Sequence, residues 1–170
     1  MSSRSPICAF LREGHVPCTV AAMPTEWTPS AQAETAGTQV RGRECAKVVV
    51  CLVDGEPIEA ILPVSLTVNL TRLLALTGGS DVRLPTDDEM DRLFPTGERN
   101  PRPAFSPLYG LAVCVDVVLV GAAEIVFQAG QGREMICVRW ADFARCVRPI
   151  VGPFAEPPLL WARYRVSPSE

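Results

Sequence analysis

The run Ala46-Lys47-Val48-Val49-Val50-Cys51-Leu52-Val53-Asp54-Gly55-Glu56-Pro57-Ile58-Glu59-Ala60-Ile61-Leu62 decides how the chain folds. Residues 47–53 are almost all apolar and rich in β-branched valine, which suits a buried strand. Asp54-Gly55 supplies residue types that tolerate positive φ, so the chain turns tightly and a second strand over 58–62 returns antiparallel. In this reading Lys47 opens the first strand. Its ammonium then sits at the mouth of the strand, at the edge of the core, with its stem on apolar neighbours and its head able to reach a cleft.

Outward from this hairpin, 5–13 reads as a short helix and 18–22 as a strand. Thr28 before Pro29 marks a helix start that runs to about Thr38. Residues 66–77 are apolar at helical spacing and stop at Gly78-Gly79. A short strand fits 82–84, and Thr86-Asp87-Asp88-Glu89 is a capping box for a helix through Leu93. From Phe94 to Gly110 the prolines Pro95, Pro101, Pro103 and Pro107 forbid regular structure and predict a stiff loop, of a length that usually serves function. Strands are expected over 112–115, 124–128 and 134–138, then a helix over 140–147. The tail from Pro149, with Pro153, Pro157, Pro158 and Pro168, is expected to be irregular. Helices and strands mix without strict alternation, and the hairpin brings antiparallel pairing. The expected fold class is therefore α+β, a single compact domain over 1–155 with a Pro-rich tail over 156–170.

The 170 residues, 48% hydrophobic and 21% charged, suffice for one domain with a full core. Sixteen Lys and Arg against 19 Asp and Glu leave a net charge of -3, which argues against a broad phosphate-binding face and against DNA as partner. No apolar run suits a bilayer span and no signal segment is evident, so the expected location is the cytoplasm. Seven cysteines, an odd number with no CxxC spacing, indicate neither a disulfide framework nor a zinc site, and no metal or cofactor is expected.

Two residue types are rare. Of the 16 cations, Lys47 is the only lysine. An ammonium is a compact point charge with three rotatable donors, whereas guanidinium is a planar fork, so a chain that uses arginine elsewhere has a reason for an ammonium here. The only histidine, His15, lies in the turn-like Gly14-His15-Val16-Pro17, where a solvated loop residue is the ordinary reading. Asp87, Asp88, Glu89 and Asp91 resemble a metal cluster, but a helix start accounts for them. Asp116 either orients Lys47 or a loop amide, or simply ends a strand.

An ordered set of motifs then emerges. His15-Val16-Pro17 precedes a strand, a helix follows Thr28, and Ala46-Lys47-Val48-Val49-Val50 comes next. Ile61-Leu62-Pro63, Leu93-Phe94-Pro95, Leu108-Tyr109-Gly110-Leu111-Ala112-Val113, Asp116, Gln128-Ala129-Gly130 and Trp140-Ala141-Asp142-Phe143 complete the series. From about Phe10 to Ala155 the chain resembles the YbaK/prolyl-tRNA synthetase-associated domain family of trans-acting aminoacyl-tRNA deacylases. The resemblance implies a curved mixed β-sheet flanked by helices, and hydrolysis of the ester that joins a wrong amino acid to the 3′ end of a tRNA. Lys47 matches the family lysine that holds the terminal adenosine or its phosphate.

The resemblance further implies substrate contacts from Ala31, from Asn100, Phe105, Ser106, Tyr109 and Gly110 of the proline-rich loop, and from Gly130 and Gly132 of a later turn. Two positions depart from the family pattern. The glycine and proline of its Gly-x-x-x-Pro loop fall on Asn100 and Ala104, although Gly97-Glu98-Arg99-Asn100-Pro101 matches literally three residues earlier. The histidine that many members carry after Ala-Gly is missing from Gly130-Gln131-Gly132-Arg133. An aminoacyl ester is already activated, so loop N–H groups that polarise its carbonyl, a lysine that anchors the tRNA end, and water would suffice without metal. Phe105 and Tyr109 either stack on adenine or serve as core or loop anchors that need no ligand, and Arg99, Arg102 and Arg133 either meet tRNA phosphates or are scattered surface arginines, the commoner case. The implied partner is the aminoacyl-tRNA acceptor end, with a tRNA synthetase as a further one. The alternative is a non-catalytic member that binds tRNA 3′ ends, an adenosine-containing ligand or a synthetase.

Overall fold

The computed structural model describes residues 6–22, 43–94, 110–129 and 134–159. In chain order the elements are α1 (Pro6–Glu13), β1 (Cys18–Ala22), β2 (Arg43–Val53), β3 (Glu56–Pro63), β4 (Thr67–Val68), α2 (Leu70–Thr77), β5 (Val82–Arg83) and α3 (Asp87–Leu93). They continue with β6 (Ala112–Asp116), α4 (Val117–Val120), β7 (Glu124–Ala129), β8 (Glu134–Arg139), α5 (Trp140–Val147), β9 (Ile150–Gly152) and β10 (Ala155–Glu156). An eight-stranded mixed sheet runs β1-β8-β7-β2-β3-β6-β9 with β5 added to β2, and β4 and β10 form a separate pair. This is the expected α+β class.

The hairpin forms as its sequence demands. Asp54 and Gly55 both take positive φ, 51° and 82°, the requirement of a two-residue turn between twisted strands. Val53 faces Glu56, and the register continues through Lys47 opposite Leu62 to Ala46 opposite Pro63. β2 begins at Arg43, so Lys47 stands inside an 11-residue strand and not at its mouth. The sequence hid this extension because Arg43 and Glu44 are charged; they are held by parallel pairing with Glu124 and Ile125 of β7.

One side of the sheet carries Ala46, Ile61, Val115, Ile125, Phe127 and Ile136 under Leu11 of α1, Leu119 of α4 and Phe143 of α5. Phe127 and Phe143 meet with ring centroids 5.7 Å apart. The other side carries Cys51, Ile58, Ala60, Leu62 and Cys114 under Leu73 of α2 and Phe154. A third, small cluster joins Val50 of β2 to Met90 and Phe94 at the end of α3.

Two expectations are corrected. The helix expected over 66–77 starts only at Leu70, capped by Asn69, whose side chain accepts from Arg72 N at 2.9 Å. Thr67 and Val68 are drawn off as a strand against Glu156 and Ala155. The tail expected to be irregular from Pro149 instead supplies β9, parallel to β6, and buries Phe154 completely. Its prolines flank the strand without interrupting it. Gly152 admits this docking, since a Cβ there would collide with Leu76 of α2. The fastening is Asp116, 1% exposed, whose carboxylate accepts from Val118 N at 3.0 Å, Phe154 N at 2.8 Å and Ala155 N at 2.7 Å. The short helix α4 that Asp116 caps was not expected either.

Candidate functional site

Two strands share the edge of β2 that faces away from β3. β7 pairs with it over Arg43–Ala46, and β5 over Leu52 and Val53. Between them, along 47–51, no described strand pairs with that edge of β2, and Lys47 is the first residue of this stretch.

Lys47 is half-buried, with its side chain on the face of the sheet that carries Leu62, and its ammonium has no hydrogen bond or ion pair to a described residue. Burial lowers its pKa from the ordinary 10.5, because desolvation disfavours the charged form. An ammonium partly stripped of water, with no carboxylate partner among the described residues, suits an anion or a carbonyl oxygen.

Phe94 and Leu111, described residues on either side of 95–109, pack with Val50 of β2. Val50 lies three residues along β2 from Lys47, and its side chain is on the opposite face of the sheet. Gly110 is exposed at φ 69° with nothing within 4 Å of where a Cβ would lie, so backbone conformation alone requires glycine there. Asn100, Phe105, Ser106, Tyr109, Gly130, Gly132 and Ala31 lie outside the described residues, as do Arg99, Arg102, Arg133 and the helix expected after Thr28.

Other sequence candidates resolve as architecture. Asp116 does not orient Lys47: its oxygens are taken by the three backbone N–H groups named above. His15 is exposed in a turn after α1 at φ 53°. Glu89 closes the capping box with Thr86 and takes both guanidinium nitrogens of Arg83 at 2.7 and 2.8 Å. The Arg83 hydrogen bonds, then the Thr86 N–H, pull its pKa from 4.5 to about 2. No group of three metal-ligating side chains occurs among the described residues. All seven cysteines are free thiols; burial pushes those of Cys51 and Cys114 to about 11. Sequence reasoning passed over Glu59, a fully buried carboxylate opposite Val50. The signal was a lone acid inside an otherwise apolar strand.

Comparison with known proteins supplies the class of protein. The chain belongs to the aminoacyl-tRNA editing domain family, whose model matches residues 25–146. A proposed trans-editing enzyme for prolyl-tRNA synthetase superposes with TM-score 0.63 at 20% identity, over 91% of this chain and 99% of that one. A protein described only as hypothetical gives TM-score 0.67 at 18% identity, over 87% and 97%. A proposed signal transduction protein from Marinobacter aquaeolei gives 0.65 at 16%, over 86% of this chain and 30% of its own length. At these identities the three show the fold. No curated protein sequence matches. No helix among the described residues is long and apolar enough to cross a membrane.

Proposed function

We propose that this chain carries out the editing reaction of its family as a deacylase in trans: it hydrolyses the ester of a mischarged tRNA, without a metal. The observation that carries the reading is Lys47, the only lysine, half-buried within β2 with no described partner for its ammonium. The ammonium anchors the terminal adenosine or its phosphate. Backbone N–H groups of the loop polarise the ester carbonyl, with Asn100, Phe105, Ser106, Tyr109 and Gly110 shaping the pocket and Ala31, Gly130 and Gly132 closing it. Water then adds to the carbonyl carbon, and the bond to the ribose oxygen breaks. Positioning and electrostatic stabilisation are enough for an ester this reactive. With a net charge of -3 the protein grips the acceptor end and little of the tRNA body.

The experiment is a panel of mischarged tRNAs, each assayed for binding and for deacylation by the full chain. Turnover of at least one above the spontaneous rate is expected. Binding of the tRNA end without turnover of any ester would replace the deacylase by a binding module, the outcome to which the departures at Asn100 and Ala104 point.

A further inference from the structure

Three cysteines gather at the corner where α1 meets the sheet. α1 turns Cys8 and Leu11, about one helical turn apart and both fully buried, toward the core beneath it. The chain then reverses through Gly14, His15 and Val16, whose N–H groups donate to the carbonyls of Phe10, Arg12 and Leu11 at 3.0, 3.0 and 2.7 Å. It doubles back, and β1 begins beneath the helix. Its first residue, Cys18, stands opposite Val138, and Cys18 and Val20 turn their side chains to the same core as Cys8. There the thiols of Cys8 and Cys18 share a hydrogen bond. Cys146 of α5 is the third cysteine, its Sγ 2.9 Å from where a Cβ on Gly14 would lie.

The two touching thiols differ in access: Cys8 is 0% exposed, whereas Cys18 is half-buried. Burial first, and Cys8 second, push the Cys18 thiol up, while the nearby Arg12 guanidinium favours its thiolate. A reagent from solvent therefore meets Cys18 first, with Cys8 directly behind it. β1 is also the end strand of the described sheet, hydrogen-bonded to β8. We propose that Cys8 and Cys18 form a redox latch: a low-molecular-weight disulfide converts the two thiols into an intrachain disulfide that ties α1 to β1, and a thiol reductant reopens it. Cys18 attacks, as thiolate, one sulfur of the small disulfide, which gives a mixed disulfide and releases one small thiol. Cys8 Sγ then attacks Cys18 Sγ, and the second small thiol leaves. Two electrons and the two thiol protons pass from the protein to the small disulfide, which ends as two thiols. Neither cysteine belongs to the proposed site: β8 and β7 stand between β1 and β2, and Lys47 points to the face of the sheet opposite Cys18.

The test incubates the native full-length chain with oxidised glutathione at mildly alkaline pH, alkylates it denatured without reductant, and digests it with trypsin. Cleavage after Arg4, Arg12 and Arg41 places Cys8 in 5–12 and Cys18 in 13–41, each the only cysteine of its fragment. The expected product is these two fragments joined, in a protein lighter by two hydrogens, with both thiols recovered after dithiothreitol. For a closed loop of about ten residues the unfolding constant should fall about 100-fold in the oxidised chain, read from urea unfolding with and without reductant. In Cys8→Ala the reaction should stop with glutathione on fragment 13–41 and bring no such gain. A bridge from either residue to Cys146, glutathione left on Cys18 of the wild-type chain, or both thiols still free after exposure would overturn the latch. So would a joined product that unfolds as readily as the reduced chain.

Discussion

At the scale of single residues, half-burial with no described partner for its charge separates Lys47 from the other described cations. The lowered pKa means that the fold opposes its charge: the cost is present below the folded pKa and is relieved as pH rises through it. Lys47→Met should therefore leave the thermal midpoint unchanged or raise it at pH 7, as residues kept for function commonly do. For the same reason deacylation by wild type should decline at high pH earlier than an ordinary lysine would dictate, which a pH–rate profile reads. Asp116 is the opposite kind of residue. Asp116→Ala strands three N–H groups and should cost about 3 kcal/mol or more in denaturant unfolding; loss below about 1 kcal/mol would contradict the fastening role. Both residues were singled out from sequence, but their jobs were legible to different degrees. A lone lysine is visible in composition. The three donors that claim Asp116 come from positions 118, 154 and 155 and need the fold to meet it.

Elements set by local chemistry were legible: the Asp54-Gly55 hairpin, the Thr86 capping box and the Gly78 stop of α2 each depend on a few neighbouring residues. Elements that exist only through distant partners were not. β4 and β10 are two residues each and have meaning only against one another. β9 borrows its ladder from β6, and the first four residues of β2 borrow theirs from β7. The α3 cap gives a prediction at this scale. With the Glu89 pKa held at about 2, its interactions with Arg83 and Thr86 stabilise the fold above the ordinary value of 4.5 and are lost as pH falls toward 2. Glu89→Gln should flatten the loss of stability across that interval, read from urea midpoints at several pH values.

Taken as a whole, the molecule is closed by its last described segment. Truncation after Pro149 removes β9, the fully buried Phe154 and two of the donors to Asp116. It should abolish cooperative unfolding even though the family match ends at residue 146. Along the edge of β2 between β7 and β5 no described strand pairs, and the only lysine stands at the start of that stretch, where the proposed function needs it. Single-turnover deacylation of a mischarged tRNA by wild type and by Lys47→Ala tests this most directly. The account predicts a loss of at least about 100-fold with an unchanged unfolding midpoint; equal rates would remove Lys47 from the reaction and contradict it.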